Sequence, residues 1–247
     1  MDNRPFGNYN QNSFNNGGNF NNTTTVTTDA AKTFITQVFS WMFAALLISG
    51  GLAYAIGNSS LMDMIYNPVT HHMTPLFWIA TFSPLIIQLV MGFGFQRLSF
   101  GAMIGLFFLY AALMGVSLSV IFFSFPPLMI VKAFGITAGT FGVMAIMGYV
   151  TKADLTRFGS LLIMLFFGAM IVSLINFFTG SAQLDWILDF VFLFVFTGLV
   201  AYYTQRIKNF GEQYGTTQPK MAVWMALLMY ITFINLFITI LRLMNRR

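Results

Sequence analysis

The stretch at residues 221–243, MAVWMALLMYITFINLFITILRL, is almost entirely apolar and contains a single charged residue, Arg242, close to its end. The hydrocarbon core of a bilayer needs about 20 consecutive apolar residues in an α-helix. Pro219 precedes the stretch, and proline is favoured in the first helical turn because an N–H there has no intrahelical partner. We therefore expect this stretch to be a membrane-spanning helix.

Six more stretches of similar length and character lie upstream of it. They occupy residues 34–56, 76–95, 100–123, 128–150, 158–178 and 186–203. These runs are long and do not alternate between apolar and polar residues, so strands are not expected. The sequence predicts an all-α polytopic membrane protein with seven transmembrane helices in a domain over residues 32–247.

The composition agrees with lipid as the main solvent. Of the 247 residues, 57% are hydrophobic and 8% are charged, whereas soluble chains carry about a quarter charged residues. A chain with 30 Phe and so few charges excludes a soluble enzyme. The net charge of +5 comes without any cluster of Lys or Arg among aromatic residues, so nucleic acid is not an expected partner. The absence of cysteine excludes disulfides and thiolate sites.

Residues 1–31 differ from the rest of the chain because they contain nine Asn and no apolar periodicity. Such a segment cannot bury a core, so we expect a disordered cytoplasmic tail. A docking tail, with Phe6, Phe14 and Phe20 as weak contacts, is the alternative.

The Lys and Arg residues predict the orientation. With seven spans, eight of them fall on the side of the N-terminus and four on the other side, so the N-terminus is expected in the cytoplasm and the C-terminus outside. The eight are Arg4, Lys32, Arg97, Lys152, Arg157, Arg206, Lys208 and Lys220, and the four are Lys132, Arg242, Arg246 and Arg247.

The chemistry of known intramembrane enzymes is missing from the spans. The two histidines, His71 and His72, lie in the loop after the first span, so a haem site, a Ser–His protease and a zinc HExxH site are not expected. With Asp63 they offer a metal site, although solvated histidines are the commoner outcome. We expect no enzyme activity and no cofactor.

Polar residues within the spans are the candidates for function, because each is costly in lipid unless it is satisfied. Asp185 and Asp189 share one face at the outer end of the sixth span, where they form either a cation site, for example for Ca²⁺, or a helix start that touches interfacial water. Hydrogen bonds between helices are expected from Asn176, Asn235, Gln88 and Thr232.

Small residues at four-residue spacing indicate close helix contacts. The pairs are Gly101 with Gly105, Gly115 with Ser119, and Gly135 with Gly139, and Ser49, Gly50 and Gly51 are expected to act in the same way in the first span.

Three segments resemble the Bax inhibitor family of membrane proteins. They are GYVTKADLTRFGSLL at 148–162, AYYTQRIK at 201–208 and MYITFINLFITILRLM at 229–244. Arg97, placed 18 residues before Gly115, also fits the family pattern. The resemblance covers about residues 33–247 and implies seven helices with a central, very apolar last helix.

The resemblance also implies a site that this chain does not reproduce. Characterised members carry two aspartates in spans six and seven that share a proton, together with an arginine that latches onto them, and this pair is associated with a pH-sensitive calcium leak. The motifs place those aspartates at Tyr203 and Thr232, and the arginine at Arg97. Tyrosine titrates near 10 and threonine does not titrate in this range, so the pH sensor is expected to be lost. A hydrogen bond between Tyr203 and Thr232 is the hypothetical replacement.

Two functions follow as hypotheses. The first is a weak cation leak, with Ca²⁺ as the candidate ion, in a bacterial inner membrane. The second is a stress-response modulator that conducts nothing and binds a membrane-bound protease or another membrane partner, as the resemblance permits. A small-molecule permease is a third interpretation, although no inverted repeat is evident.

Overall fold

Seven α-helices build the protein in the computed structural model, which describes residues 20–59, 62, 65–67 and 72–246. Their bounds are α1 Phe20–Gly57, α2 Pro75–Phe93, α3 Phe100–Ser124, α4 Pro127–Val150, α5 Thr156–Thr179, α6 Ala182–Tyr214 and α7 Pro219–Asn245. Two short antiparallel strands, β1 Tyr66–Asn67 and β2 His72–Met73, lie in the loop between α1 and α2. The predicted all-α class is confirmed.

Six of the helices in the described part of the chain are long and apolar enough to cross a membrane. The other, α2, has 19 residues and is apolar along its length. A helix of that size extends about 28 Å, which is close to the thickness of the hydrocarbon core. All seven predicted spans therefore correspond to helices, and the chain is a polytopic integral membrane protein.

Two helices extend further than the hydropathy predicts. Helix α1 begins at Phe20, within the segment expected to be disordered, and α6 runs on to Tyr214. Ala31 is buried against Gly211 near the end of α6, and the rings of Phe34 and Phe210 lie 5.2 Å apart. Helix growth is cooperative, so polar residues prolong a helix that packing already stabilises. Residues 1–19 of the expected tail lie outside the described residues.

Helix α7 is the centre of the bundle. Within its most apolar window 72% of the residues are buried, against 17–44% for the other five long spans. It packs against α1, α3, α4 and α6, whereas α2 lies on α3 and α5 on α6. The Tyr230 ring of α7 lies edge-on to Phe107 and Tyr110 of α3, with centroids 6.3 and 5.8 Å away. The central position that the family resemblance implied is confirmed.

Close backbone contacts occur at only some of the predicted glycines. Gly115 lies against the Ser49 backbone of α1, where an added Cβ would come within 2.8 Å of the Ser49 carbonyl oxygen. The expectation is wrong at six of the predicted glycines, because an added Cβ would meet no atom within 4 Å there. They are Gly50, Gly51, Gly101, Gly105, Gly135 and Gly139. Spacing places two residues on one face of a helix but does not say whether that face meets a neighbour.

Candidate functional site

A row of polar side chains follows one face of the central helix. Thr232, Asn235, Thr239, Arg242 and Arg246 are separated by alternating steps of three and four residues, so they share a face of α7. Thr232 and Thr239 are buried, and Asn235 is half-buried. We call these five residues the α7 polar stripe. Polar groups at this depth are costly in lipid, which makes the stripe the candidate site.

The uncharged members of the stripe each donate a hydrogen bond within α7 itself. The Thr232 hydroxyl donates to the Leu228 carbonyl at 2.8 Å, and the Thr239 hydroxyl donates to the Asn235 carbonyl at the same distance. The Asn235 side-chain amide donates to the Ile231 carbonyl, also at 2.8 Å. The hydrogen bonds between helices that were expected of Thr232 and Asn235 are therefore not made in this conformation, and the Asn235 side-chain oxygen accepts none from the described residues.

The charged end of the stripe meets a buried carboxylate of α6. One oxygen of Asp189 lies 3.6 Å from a guanidinium nitrogen of Arg242, and the other lies 3.2 Å from a nitrogen of Arg246. The Asp189 side chain is only 2% exposed, whereas the two arginine side chains are 50% and 32% exposed. Since the long arginine stems carry their heads to this buried site, we call the three residues the Asp189 ion cluster. A second guanidinium nitrogen of Arg246 donates to the Ala182 carbonyl at 3.5 Å.

A separate polar network surrounds Asp185 at the start of α6. The Asn176 amide nitrogen donates to the Asp185 carboxylate at 2.6 Å and to the Ser181 carbonyl at 3.1 Å. The Asn176 oxygen in turn accepts from the Ser181 backbone N–H and the Thr179 hydroxyl. Gly180, with φ 64°, ends α5 in the left-handed conformation that the sharp turn requires. This network fixes the end of α5 against the start of α6.

The two carboxylates expected to gather a cation have other partners in this conformation. Asp189 is paired with arginines and Asp185 accepts from Asn176, so neither presents a free pair of oxygens. Across the described ranges, no group of three or more His, Cys, Asp or Glu is placed to hold a metal ion. His71 and Asp63 of the other predicted metal site lie outside the described residues.

The residues of the expected latch do not form one in this conformation. Tyr203 lies on α6 beside Arg206, and together they face Trp224 and Leu228 of α7. The Thr232 hydroxyl, one turn further along α7, donates to its own helix. Arg97 is exposed in the turn between α2 and α3. Tyr203 and Thr232 therefore lie on facing helices, but the hydrogen bond proposed between them is not among those that the described residues make.

A clamp that the sequence did not predict holds the turn between α4 and α5 onto α6. The Gln205 amide nitrogen donates to the Ala153 carbonyl at 2.7 Å, and its oxygen accepts from the Leu155 N–H at 2.8 Å. Lys208, one turn on, donates to the Tyr149 carbonyl at 3.1 Å and lies over the Tyr149 ring. The sequence does not indicate this contact, because the partners of Gln205 lie about 50 residues away from it in the chain.

The same turn is stabilised locally by Asp154. Its carboxylate accepts from the backbone N–H of Thr156 at 2.9 Å, at the start of α5. Hydrogen bonds from the Thr156 hydroxyl and from this N–H hold the pKa of Asp154 below its usual range. The turn is therefore ordered both by its own residues and by α6.

Replacing Gln205 with leucine is expected to loosen this turn. The substitution removes both hydrogen bonds and leaves the Leu155 N–H and the Ala153 carbonyl unpaired, at a cost of about 1 kcal/mol for each bond. Amide exchange at Leu155, followed by mass spectrometry, should accelerate about tenfold. Gln213→Leu, an exposed position on the same helix, is the control. Unchanged exchange at Leu155 in Gln205→Leu would contradict the role of the clamp.

Comparison with known proteins identifies relatives over almost the whole chain. A family model described as "Inhibitor of apoptosis-promoting Bax1" matches residues 31–247. The inner membrane protein YbhL of Escherichia coli strain K12 is 37% identical over 222 residues, which cover 87% of this chain and 92% of that protein. An uncharacterized protein of Borreliella burgdorferi is 37% identical over 218 residues, with the same coverage of 87% and 92%. One of Deinococcus radiodurans is 33% identical over 223 residues, covering 90% of this chain and 94% of its own.

Proposed function

The chain is an integral membrane protein of the Bax inhibitor family, and we propose that it is a cation leak whose path follows the contact between α6 and α7. Ca²⁺ is the candidate ion. The observation that carries this proposal is the α7 polar stripe on the most buried helix of the bundle. Polar groups within membrane spans commonly mark an ion path, and the Asn235 side-chain oxygen has no partner among the described residues.

The conformation described here corresponds to a closed state of this path. The polar groups in the middle of the stripe donate to their own helix, and the Asp189 ion cluster joins α6 to α7 at one end. Separation of the two helices at that end would free Asp189, one turn from Asp185. Carboxylate oxygens are the ligands that Ca²⁺ prefers, so the two aspartates are the proposed cation-binding groups at the mouth of the path.

The proposed leak has no acidic pH sensor. Tyr203 and Thr232 occupy the positions that the family resemblance assigns to the paired aspartates. Two carboxylates in a shared site repel each other, which raises one pKa towards neutrality, and neither of these side chains can do this. Arg97 is exposed and lacks an acidic partner at the assigned positions.

The proposed orientation puts the N-terminus in the cytoplasm of a bacterial cell. The excess of Lys and Arg on that side supports it. The similarity to YbhL, an inner membrane protein of Escherichia coli, supports the bacterial inner membrane as the location. No catalytic step is part of the proposal.

The leak is tested in proteoliposomes that contain a trapped calcium indicator. We expect Ca²⁺ entry that changes little between pH 6 and pH 8, and that falls severalfold in Thr232→Val and Asn235→Leu because the stripe loses its polar groups. Thr137→Val is the matched control, since the Thr137 hydroxyl of α4 is also buried and donates to its own helix at 2.7 Å.

The double variant Tyr203→Asp with Thr232→Asp should make the Ca²⁺ entry switch near neutral pH. Wild-type entry that switches sharply near pH 7 would refute the loss of the sensor.

The second candidate is a modulator that conducts nothing and binds a membrane-bound protease. The hydrogen bonds within α7 favour it, because hydroxyl and amide groups that donate to their own helix can be accommodated without an ion path. The same proteoliposomes distinguish the two functions. No Ca²⁺ entry, together with specific co-purification of a membrane protease, would support the modulator over the leak.

A further inference from the structure

A cavity of about 510 Å³ opens near the starts of α3 and α7, beside the part of α1 that begins at Lys32, and it belongs to neither the stripe nor the ion cluster. Helix α1 lines one wall with Lys32, Thr36, Gln37 and Ser40. These residues recur at steps of four, one and three, so they follow one side of α1 for about two turns. The first residue of α3 and the first residue of α7 form the opposite wall.

Hydrogen-bonding groups in this wall are available to a ligand. Within the described part of the chain, the side chains of Gln37 and Ser40 make no hydrogen bond. The Lys32 ammonium lies 3.8 Å from the Asp29 carboxylate, but both side chains are more than half exposed. An exposed ion pair of this kind contributes little and exchanges readily with another anion.

The surroundings of the cavity favour an anion. Lys32 lies in the wall, and two further cations, Arg97 and Lys220, lie within three residues of lining residues at the starts of α3 and α7. Both helices also direct their positive dipole ends towards this face. Asp29 is the one acidic side chain described beside the cavity wall.

The inner end of the cavity is aromatic. Trp41 lines it and packs on Phe108 of α3, with ring centroids 5.7 Å apart, and Phe100 lines the opposite side. An apolar floor beside a wall of hydroxyl, amide and ammonium groups matches a ligand with a charged head and an apolar body. Basic recesses between transmembrane helices bind anionic lipid headgroups in this way.

We propose that this cavity binds the phosphate group of an anionic phospholipid, with the Lys32 ammonium, the Gln37 amide and the Ser40 hydroxyl as its donors. The phosphate chemistry alone would also suit a soluble phosphate ester. The aromatic floor and the position at the end of the spans favour the lipid. The site is independent of whether the protein conducts ions.

The test uses the purified full-length protein in detergent, with bound lipid counted by native mass spectrometry. Dioctanoyl phosphatidylglycerol, dioctanoyl phosphatidylcholine and glycerol 3-phosphate are titrated in parallel. We expect the phosphatidylglycerol to bind about tenfold more tightly than either of the other two. The choline cation of phosphatidylcholine offsets the charge of its phosphate beside the basic residues of the cavity, and glycerol 3-phosphate lacks the acyl chains that add apolar contact.

Two variants with opposite expected effects on lipid binding distinguish a binding role of the cavity from a structural one. Lys32→Gln should weaken phosphatidylglycerol binding about fivefold, and Asp29→Asn should strengthen it, because the lysine loses its competing partner. Lys152→Gln, which removes an exposed cation from the same membrane face, should leave it unchanged. An unchanged melting temperature of each variant confirms that the fold is intact.

Equal binding of the two lipids, or full binding by Lys32→Gln, would overturn the site. Glycerol 3-phosphate that binds as tightly as phosphatidylglycerol would overturn the lipid as the source of the phosphate.

Discussion

Replacing Arg242 and Arg246 together with glutamine is expected to destabilise the protein by about 2–4 kcal/mol. The double substitution leaves Asp189 buried without a countercharge, and loss of one side of a fully buried pair costs about 3–5 kcal/mol. The expected value is somewhat lower because both guanidinium groups are partly exposed. Thermal unfolding of the detergent-solubilised protein, followed by intrinsic tryptophan fluorescence, measures the change.

Rescue makes this prediction specific to the ion cluster. Adding Asp189→Asn to the double variant removes the buried charge, so it should restore most of the lost stability. Arg157→Gln with Lys152→Gln removes two exposed cations, one at the start of α5 and one in the turn before it, and serves as the control. A double variant as stable as the wild type, or a triple variant no better than the double, would show that Asp189 does not depend on its two arginines.

Gly148→Ala is expected to disrupt the contact between α4 and α6. An added Cβ would lie 2.7 Å from the Ala201 Cα and closer still to the Ala201 carbonyl oxygen. The obstruction is backbone rather than a flexible side-chain end, so the helices must move apart, at a cost of about 1–3 kcal/mol. The same thermal unfolding measurement reports the loss.

Gly139→Ala is the matched control on the same helix. An added Cβ there meets no atom within 4 Å, and alanine is a better helix former than glycine by about 1 kcal/mol. We therefore expect this variant to equal or exceed the wild type in stability. If both alanine variants behave alike, the close approach of α4 to α6 is not needed for stability.

The transmembrane helices could be predicted from the sequence because hydropathy acts over whole segments. The stretch 221–243 must be helical in a bilayer whatever its neighbours are, since every backbone N–H and carbonyl must be paired there. Which helix touches which is a different question, as the glycines illustrate. Gly101 and Gly105 have the four-residue spacing that is typical of a helix contact, but they face open space. Gly148 belongs to none of the predicted pairs, but it touches the α6 backbone.

The candidate site could be predicted only in part for the same reason. Asp189 was identifiable as a polar residue within a span, and Arg242 as a cation near a span end. Their pairing depends on α6 and α7 being antiparallel neighbours, which brings the start of one helix to the end of the other. The Gln205 clamp depends on a similar juxtaposition with a distant turn.

The internal pairing of the α7 polar stripe has a mechanical consequence. Among the described residues, the side-chain hydrogen bonds and ion pairs that join α6 to α7 involve Asp189, Arg242, Arg246 and the Ala182 carbonyl, all at one end of the two helices. The polar groups in the middle, from Thr232 to Thr239, would keep their bonds if α7 swung away. The polar attachment of α6 to α7 is therefore confined to one end of the two helices. The free energy needed to separate them is concentrated at the Asp189 ion cluster, and once that cluster is broken, only apolar contact between the two helices resists further separation.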